Sequence, residues 1–239
     1  MASEGGYVVG VLLSHERSDV NTLIPFMDRI HRNLSVKFSS LIADSGYESE
    51  ENYQYLKDKG ITAYIKPSNY ELRKTKKFKS DIGKRENMTY LPEEDAFLCA
   101  NKRKLIFSGV RRNKTATGFV VKKRRYSCSE CEGCSLSSKC LRKAKSKNIE
   151  FSKVFNELRQ ESDANIKSLN VIRLRMNRSI QWEGIFAYMK EDLGYRRFRH
   201  RGKKHVENDM FLIAFAINAN KLHKKIQSEN LGYLEYKTA

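Results

Sequence analysis

Along the first 65 residues, short apolar runs alternate with segments in which apolar residues recur at helical spacing. Each run is too short for a helix and predicts a strand, and the first, which is rich in β-branched residues, predicts a buried one. The runs are Tyr7–Leu13, Phe38–Ala43 and Ile61–Ile65. Helical spacing predicts one helix over 21–32, behind an N-cap at Ser18-Asp19, and another from Ser49 to Gly60. This alternation favours an α/β sheet with crossover connections.

The pattern changes over residues 66–152. Leu72–Arg85 holds seven Lys or Arg and a single acid, which predicts an exposed basic loop. Short strand-like pieces follow. They are Ala96–Cys99, Lys104–Phe107 and Gly118–Val121. We therefore expect a β-rich segment with exposed basic loops.

The last third is predicted to be helical. Apolar residues recur at helical spacing over 154–193, and again over 206–226 in an amphipathic helix. The segment Gly194–Lys204 separates these helices and is strongly basic.

Composition points to a polyanionic partner. The 239 residues include 46 Lys+Arg and 28 Asp+Glu, for a net charge of +18. A 10% aromatic content excludes a disordered basic tail. No apolar run approaches the roughly 18 residues of a membrane span, and the N-terminus lacks a signal pattern. Nucleic acid is the first candidate, beside a generally basic, solvated surface.

Four of the five cysteines lie close together in the sequence, as Cys128-x2-Cys131-x2-Cys134-x5-Cys140. Structural disulfides are rare in the cytosol, so closely spaced thiols predict a metal site, and four thiolates suit tetrahedral Zn²⁺. Reduced thiols without metal are the alternative, and the spacing departs from that of ferredoxin iron–sulfur sites. Cys99 stands apart and is most simply a small buried residue on a strand.

Two acids stand out by position. Asp44 directly follows an apolar strand, where α/β folds place functional groups, although a helix cap or turn residue explains it equally well. Glu183 lies among apolar neighbours on a predicted helix, seven residues before Lys190 and five after Arg178. Seven residues are two helical turns, so Glu183 and Lys190 are predicted to share a face. An ordinary solvated glutamate is the alternative.

The basic segment 194–204 combines cations with Tyr195 and Phe198. Cations neutralise phosphates and aromatic rings stack on bases, so we predict nucleic-acid binding there rather than a merely solvated connection. The six candidate residues are Arg196, Arg197, Arg199, Arg201, Lys203 and Lys204.

Taken in order, these features resemble bacterial insertion-sequence transposases of the DDE class. The resemblance rests on Ile42–Tyr47, the cysteine-rich segment, Arg178–Glu183 with Lys190, and Arg196–Gly202. It implies an RNase H-like core with Asp44 as the second catalytic acid and Glu183 as the third. It further implies two Mg²⁺ ions on these carboxylates, with Arg178 and Lys190 holding the DNA end.

The resemblance also implies a fold class and a domain division. The class is α/β, with an RNase H-like core incomplete at its N-terminus, a β-rich cysteine-containing insertion and a helical C-terminal part. The expected division is 1–65 as the first part of the core, 66–152 as the insertion with the zinc site, 153–227 as the helical part with Glu183, and 228–239 as a tail.

The family's first aspartate lies on a strand upstream of the one matching Tyr7–Leu13, and Met1–Gly6 supplies neither that strand nor an aspartate. We therefore expect a carboxyl-terminal portion of a transposase, in the bacterial cytoplasm at the nucleoid. Its expected partners are transposon-end and target DNA, with a second copy of the chain or an upstream transposase fragment. The alternatives are a non-catalytic, zinc-containing DNA-binding protein derived from a transposase and an RNA-binding basic protein.

Overall fold

The computed structural model describes residues 2–4, 6–141 and 144–229, and shows a mixed α/β protein. The strands are β1 (Ala2–Glu4), β2 (Tyr7–Gly10), β3 (Ser40–Ala43), β4 (Thr62–Ile65), β5 (Thr89–Leu91), β6 (Ala96–Leu98), β7 (Lys104–Lys114), β8 (Val120–Ser127) and β9 (Asn148–Phe151). The helices are α1 (Leu23–Leu34), α2 (Glu50–Asp58), α3 (Lys76–Lys79), α4 (Ser137–Cys140), α5 (Lys153–Asn165), α6 (Leu169–Ala187) and α7 (Lys203–Gln227).

Strands β3 and β4 form a parallel pair joined by a crossover through α2, as the alternating pattern predicts. The start of α2 is fixed by Ser49, whose hydroxyl accepts the Asn52 N–H at 3.0 Å. The helix ends before Gly60, which has a left-handed φ of +68°. Both predicted boundaries of this helix are therefore confirmed.

The predicted cap of the first helix is wrong. Ser18 makes no side-chain capping bond, and Asp19–Asn21 form a short 3-10 helix before α1 begins at Leu23. Hydrophobic spacing places the apolar face of α1 correctly, with Leu23, Met27 and Ile30 buried. A turn of 3-10 helix before an α-helix does not alter that spacing, so the pattern carries no signal for it.

The two ends of the described chain pack together. Strand β2 lies against α7, and Asn218 accepts the Val8 N–H and donates to the Val8 carbonyl, both at 2.8 Å. Val8 and Val11 share a buried cluster with residues of α6 and α7, including Ile185 and Ile213. This cluster attaches the first part of the chain to the last.

Strands β5 to β9 form one antiparallel sheet in sequential order. Its core contains Phe97, Leu105, Tyr126 and Phe151. The strands predicted over 104–107 and 118–121 are too short: β7 runs to Lys114 and β8 to Ser127. The added residues are mostly charged, and backbone pairing between the two strands holds them in extended form.

The third buried cluster joins α1, α2, β4 and α5. Ser162 of α5 binds the backbone of β4, accepting the Ile65 N–H at 3.1 Å and donating to the Ile65 carbonyl at 3.0 Å. A π-helical turn, Tyr188–Asp192, follows α6 directly. Within the described part of the chain, no helix is long and apolar enough to cross a membrane. Most of the predicted tail, from residue 230 onward, lies outside the described residues.

Candidate functional site

Asp44 stands at the carboxyl end of β3, where a 3-10 helix, Ser45–Tyr47, begins. Only its backbone serves that turn, because the Asp44 carbonyl accepts the Tyr47 N–H at 3.1 Å while the side chain makes no capping bond. The carboxylate is 64% exposed. The turn therefore does not account for the acidic side chain at this position.

The Asp44 carboxylate forms an ion pair with Arg178 of α6. Both guanidinium Nη atoms contact it, with Nη1 at 3.3 Å from Oδ2. A planar guanidinium matches the two oxygens of a carboxylate, so this pairing fixes orientation as well as distance. It holds α6 against the end of β3, and two residues 134 positions apart in the sequence meet there.

A second carboxylate, Asp19, lies near this contact. Burial raises the pKa of the Tyr47 hydroxyl, and the negative charges of Asp19 and Asp44 raise it further. A Cβ at position Gly46 would lie 3.4 Å from Asp19 Oδ2. The helix-cap interpretation of Asp19 hid this proximity, because nothing in its own sequence neighbourhood indicates that the 3-10 turn faces residues 44–47.

Glu183 lies five residues beyond Arg178 on α6, which is about 7.5 Å along the axis and about 140° around it. Its side chain is exposed and accepts a hydrogen bond from the Ser179 hydroxyl at 3.3 Å. Among the described residues no cation pairs with it. The structure thus brings Asp44 and Arg178 together and leaves Glu183 exposed on a face of the same helix about 140° away from Arg178.

Lys190 lies beyond α6, in the π-helical turn. A π turn takes more residues than an α turn, so the two-turn spacing that predicts a face shared with Glu183 does not extend cleanly to Lys190. Turns of this kind are frequent at functional sites. The role of Lys190 stays a prediction.

The basic segment 194–204 is ordered by a small polar network at its base. Tyr195 is buried, and its hydroxyl donates to Asp209 at 3.0 Å, while His200 Nδ1 lies 2.7 Å from the same carboxylate. All six predicted DNA-binding residues are exposed. Arg196 pairs with Glu191, and Arg199 lies close enough to Asp209 to help lower the pKa of that carboxyl. The other four form no ion pair within the described ranges. This leaves a compact set of cations facing solvent.

The five cysteine thiols lie in one neighbourhood beside the antiparallel sheet. Cys128 is buried in the core of that sheet, and Cys99 and Cys131 pack against it. Cys131 accepts the Lys147 backbone N–H at 3.3 Å, and Cys134 accepts the Asn101 amide at 3.4 Å. N–H bonds of this kind commonly support metal-ligating sulfur.

Burial raises the pKa of both Cys128 and Cys140, and the nearby Cys99 and Cys131 thiols raise both further. Cys99 therefore does not stand apart from the other four, as its position in the sequence suggests. It was missed because strand β6 brings it back to the cluster from about 30 residues away.

A buried ion pair lies four residues after Asp44. Arg159 Nε and Nη2 each donate to the Glu48 carboxylate at 2.6 Å, and the Ser68 N–H donates at 2.8 Å. Burial by itself raises the pKa of Glu48, but these bonds outweigh burial and hold the pKa below its usual value. The sequence does not reveal this pair, because the groups that bind Glu48 come from α5 and from the turn after β4 rather than from neighbouring positions.

The donors near Asp44 suit a hard divalent cation in kind, because they are carboxylate oxygens. They fall short in number: within residues 2–4, 6–141 and 144–229, no group of three or more His, Cys, Asp or Glu side chains is arranged to hold a metal ion. The described cysteine side chains are likewise not arranged to hold a metal ion.

A family model described as a transposase DDE domain matches residues 98–223. The match includes the cysteines, Arg178, Glu183 and the basic segment, while Asp44 lies outside it. Neither the curated proteins nor the solved structures gave a significant match. Because the family match covers more than half of the 239 residues, the chain belongs to the transposase DDE domain family.

Proposed function

We propose that this chain forms part of the catalytic core of a DNA transposase from a bacterial insertion sequence, acting at the nucleoid. Its chemistry is divalent-metal-dependent phosphodiester cleavage and strand transfer, with Asp44 and Glu183 as metal-ligating acids. The observation that carries the proposal is the Arg178–Asp44 pair, which docks the glutamate helix on the strand end that bears the aspartate.

The two acids are chemically suited to this role. Both carboxylates are open to solvent, and Glu183 has no cation beside it in the described part of the chain. The chemistry that bound Mg²⁺ supplies is activation of a water or 3′-hydroxyl and stabilisation of the leaving oxygen. Arg178 and Lys190 would then hold the DNA phosphates, and the basic segment 194–204 would bind the adjoining duplex.

We infer that the third carboxylate is carried by a strand additional to the nine described. Strand β3 pairs with β4 on one edge, and no described strand pairs with its other edge. Strand β1 pairs with β2 alone. A strand bound along the open edge of β3 would continue that sheet and place its own side chains beside Asp44, within a core of the RNase H type.

The test is nicking of supercoiled plasmid in Mg²⁺ by two proteins: the 239-residue chain, and that chain extended by the residues encoded immediately upstream of Met1. We expect the extended protein to nick DNA and Glu183→Gln to reduce nicking about 100-fold or more, because a metal ligand is lost. Glu157→Gln is the matched control, since Glu157 is also an exposed helical glutamate, on α5. Equal activity of the two variants would refute the assignment of Glu183.

The cysteine cluster supports a second proposal, a structural zinc site. The candidate ligands are Cys128, Cys131, Cys134 and Cys140, and the structure adds Cys99 as a fifth thiol in the same neighbourhood. Thiolates are soft ligands that suit Zn²⁺, and the backbone N–H bond to Cys131 supports such a site. If no form of the protein cleaves DNA, a zinc-containing, non-catalytic DNA-binding protein becomes the better description.

We expect about one zinc per chain in purified protein, measured by elemental analysis. Cys131→Ser should lower the zinc content and the melting temperature together, because binding of a structural metal contributes directly to folding. Cys99→Ser tests the fifth thiol, with an unchanged zinc content assigning the site to the other four. Fully folded protein without zinc would refute the proposal.

A further inference from the structure

Strands β7 and β8 extend beyond their sheet as a two-stranded ribbon. Strand β9 pairs with β8 only over Arg124–Ser127, so the remaining pairs, of residues 111–114 with residues 120–123, lie beyond its edge. The whole span Lys104–Ser127 contains no Asp or Glu. We call residues 111–114 and 120–123 the basic ribbon.

Cross-strand register in the ribbon places like charges opposite each other. Arg111 pairs with Lys123, and the next residues, Arg112 and Lys122, also pair. Directly opposed like charges destabilise a sheet unless something of opposite sign lies between them. The two pairs face opposite sides of the ribbon, because successive side chains in a strand alternate.

The Arg111–Lys123 pair is compensated by an acid from the protein itself. Glu150 of β9 accepts from Arg111 at 3.1 Å and lies 3.9 Å from Lys123. Lys123 and Val121 also line a cavity of about 460 Å³, together with Glu48 and with residues of α2 and α5. This face is thus turned toward the rest of the protein.

The Arg112–Lys122 pair has no such compensation. Arg112 and Lys122 are exposed, and neither has an acidic partner among the residues that the structure describes. Lys114 lies on the same face and is also without one. Two half-exposed valines share this face, Val120 opposite Lys114 and Val110 at the base of the ribbon. We call these five residues the outer face of the ribbon.

The ribbon is held at both ends. At its base Phe107 and Tyr126 are paired and their rings meet edge to face, with centroids 6.0 Å apart. At its tip the Thr117 hydroxyl donates to the Glu51 carboxylate of α2 at 2.7 Å. A cationic surface fixed in this way loses little conformational freedom when a ligand binds.

We propose that the outer face of the basic ribbon is a docking surface for duplex DNA, additional to the segment 194–204. The proposal rests on the proposed function, since a transposase acts on DNA. Phosphates would supply the negative charge that the Arg112–Lys122 pair lacks. Two strands about 4.8 Å apart fit the roughly 12 Å wide major groove of B-form DNA, whereas the deep, narrow major groove of duplex RNA excludes such an element.

The test is binding of a 20-bp DNA duplex by fluorescence anisotropy between 50 and 200 mM NaCl. For the double variant Arg112→Gln/Lys122→Gln we expect about tenfold weaker binding. The slope of log affinity against log salt should also fall by about 1.8, for two lost phosphate contacts. The charge-preserving swap Arg112→Lys/Lys122→Arg should keep the slope.

The matched control is Arg32→Gln/Lys37→Gln. It removes the same two residue types from exposed positions at the opposite end of β3 from Asp44. If both double variants weaken binding equally, the effect is one of net charge, and the ribbon proposal is overturned. Tighter binding of duplex RNA than of duplex DNA by the wild type would overturn it as well.

These outcomes separate the two proposals. If the wild type shows no salt-dependent binding of duplex DNA, the proposed function fails, and the ribbon surface fails with it. If the wild type binds and the Arg112/Lys122 variant binds equally well, only the ribbon surface fails. Circular dichroism of each variant shows whether the fold is retained.

Discussion

Arg178 shows how one side chain can serve both the fold and the proposed chemistry. Its guanidinium pairs with Asp44 and so holds α6 on the end of β3. A metal ion that binds the Asp44 carboxylate has to displace this guanidinium or share an oxygen with it. If displaced, Arg178 would be free to bind a DNA phosphate beside Asp44.

Glu48 is a residue whose removal should strongly destabilise the fold. Its carboxylate is 2% exposed and carries two bonds from Arg159. Glu48→Gln should lower the free energy of unfolding by about 3–5 kcal/mol at pH 7, since the Arg159 charge then loses its buried partner. Urea denaturation measures this, with Glu157→Gln as the exposed control, expected to change stability little.

The Glu48–Arg159 pair also makes the stability of the protein depend on pH. The pKa of Glu48 is lowered in the folded protein, so its stabilising effect is present above the pKa of the unfolded chain, near 4.5. The effect is lost as the pH falls through the lowered folded-state value. The stability difference between wild type and Glu48→Gln should therefore shrink from pH 7 to pH 3. A difference that stays constant would show that Glu48 acts by packing rather than by charge.

At the scale of elements, β2 and α1 meet at Gly10. A Cβ added there would lie 2.8 Å from Ile30 Cγ1 and 3.2 Å from Phe26. Gly10→Ala should therefore destabilise the protein by about 1–3 kcal/mol through overpacking. Thermal unfolding followed by circular dichroism measures the effect.

Gly184 provides the opposite case for the same substitution. It lies within α6, and a Cβ there would meet nothing within 4 Å. Gly184→Ala should leave stability unchanged or raise it by up to about 1 kcal/mol, because alanine favours the helix. If both glycine variants change stability equally, the close approach of β2 to α1 is not the reason that Gly10→Ala destabilises the protein.

Over the whole molecule, sequence reasoning works where a signal is local and fails where distant segments meet. The Ser49 cap, the Gly60 stop and the strands at 40–43 and 62–65 all follow from neighbouring residues. The full length of β7 and β8 does not, because charged residues such as Arg112 and Lys122 are extended only through pairing with each other. Strand propensity alone does not carry that information.

The candidate site divides in the same way. The position of Asp44 after a strand can be read from the sequence, and so can the spacing of the four clustered cysteines. The meeting of Asp44 with Arg178, the nearness of Asp19, and the return of Cys99 to the cysteine cluster depend on tertiary contacts. No local pattern could have shown them.

The net charge of +18 is also distributed unevenly in space. Many of the 46 Lys and Arg side chains form ion pairs with acids, such as Arg29–Glu207 and Arg73–Asp163. Uncompensated cations remain on the segment 194–204 and on the outer face of the basic ribbon. Both surfaces present positive charge to a polyanion.

The reciprocal hydrogen bonds between Val8 and Asn218 can form only late in the synthesis of the chain. These residues are 210 positions apart, so β2 leaves the ribosome long before α7 exists to cover it. Its apolar residues stay without their final partners through most of translation, and the closing contact is slow to form because the intervening loop is long. The glutamate helix packs in that same cluster through Ile185. No nascent portion of the chain therefore contains this cluster complete, and Glu183 reaches its final surroundings only after α7 has been made.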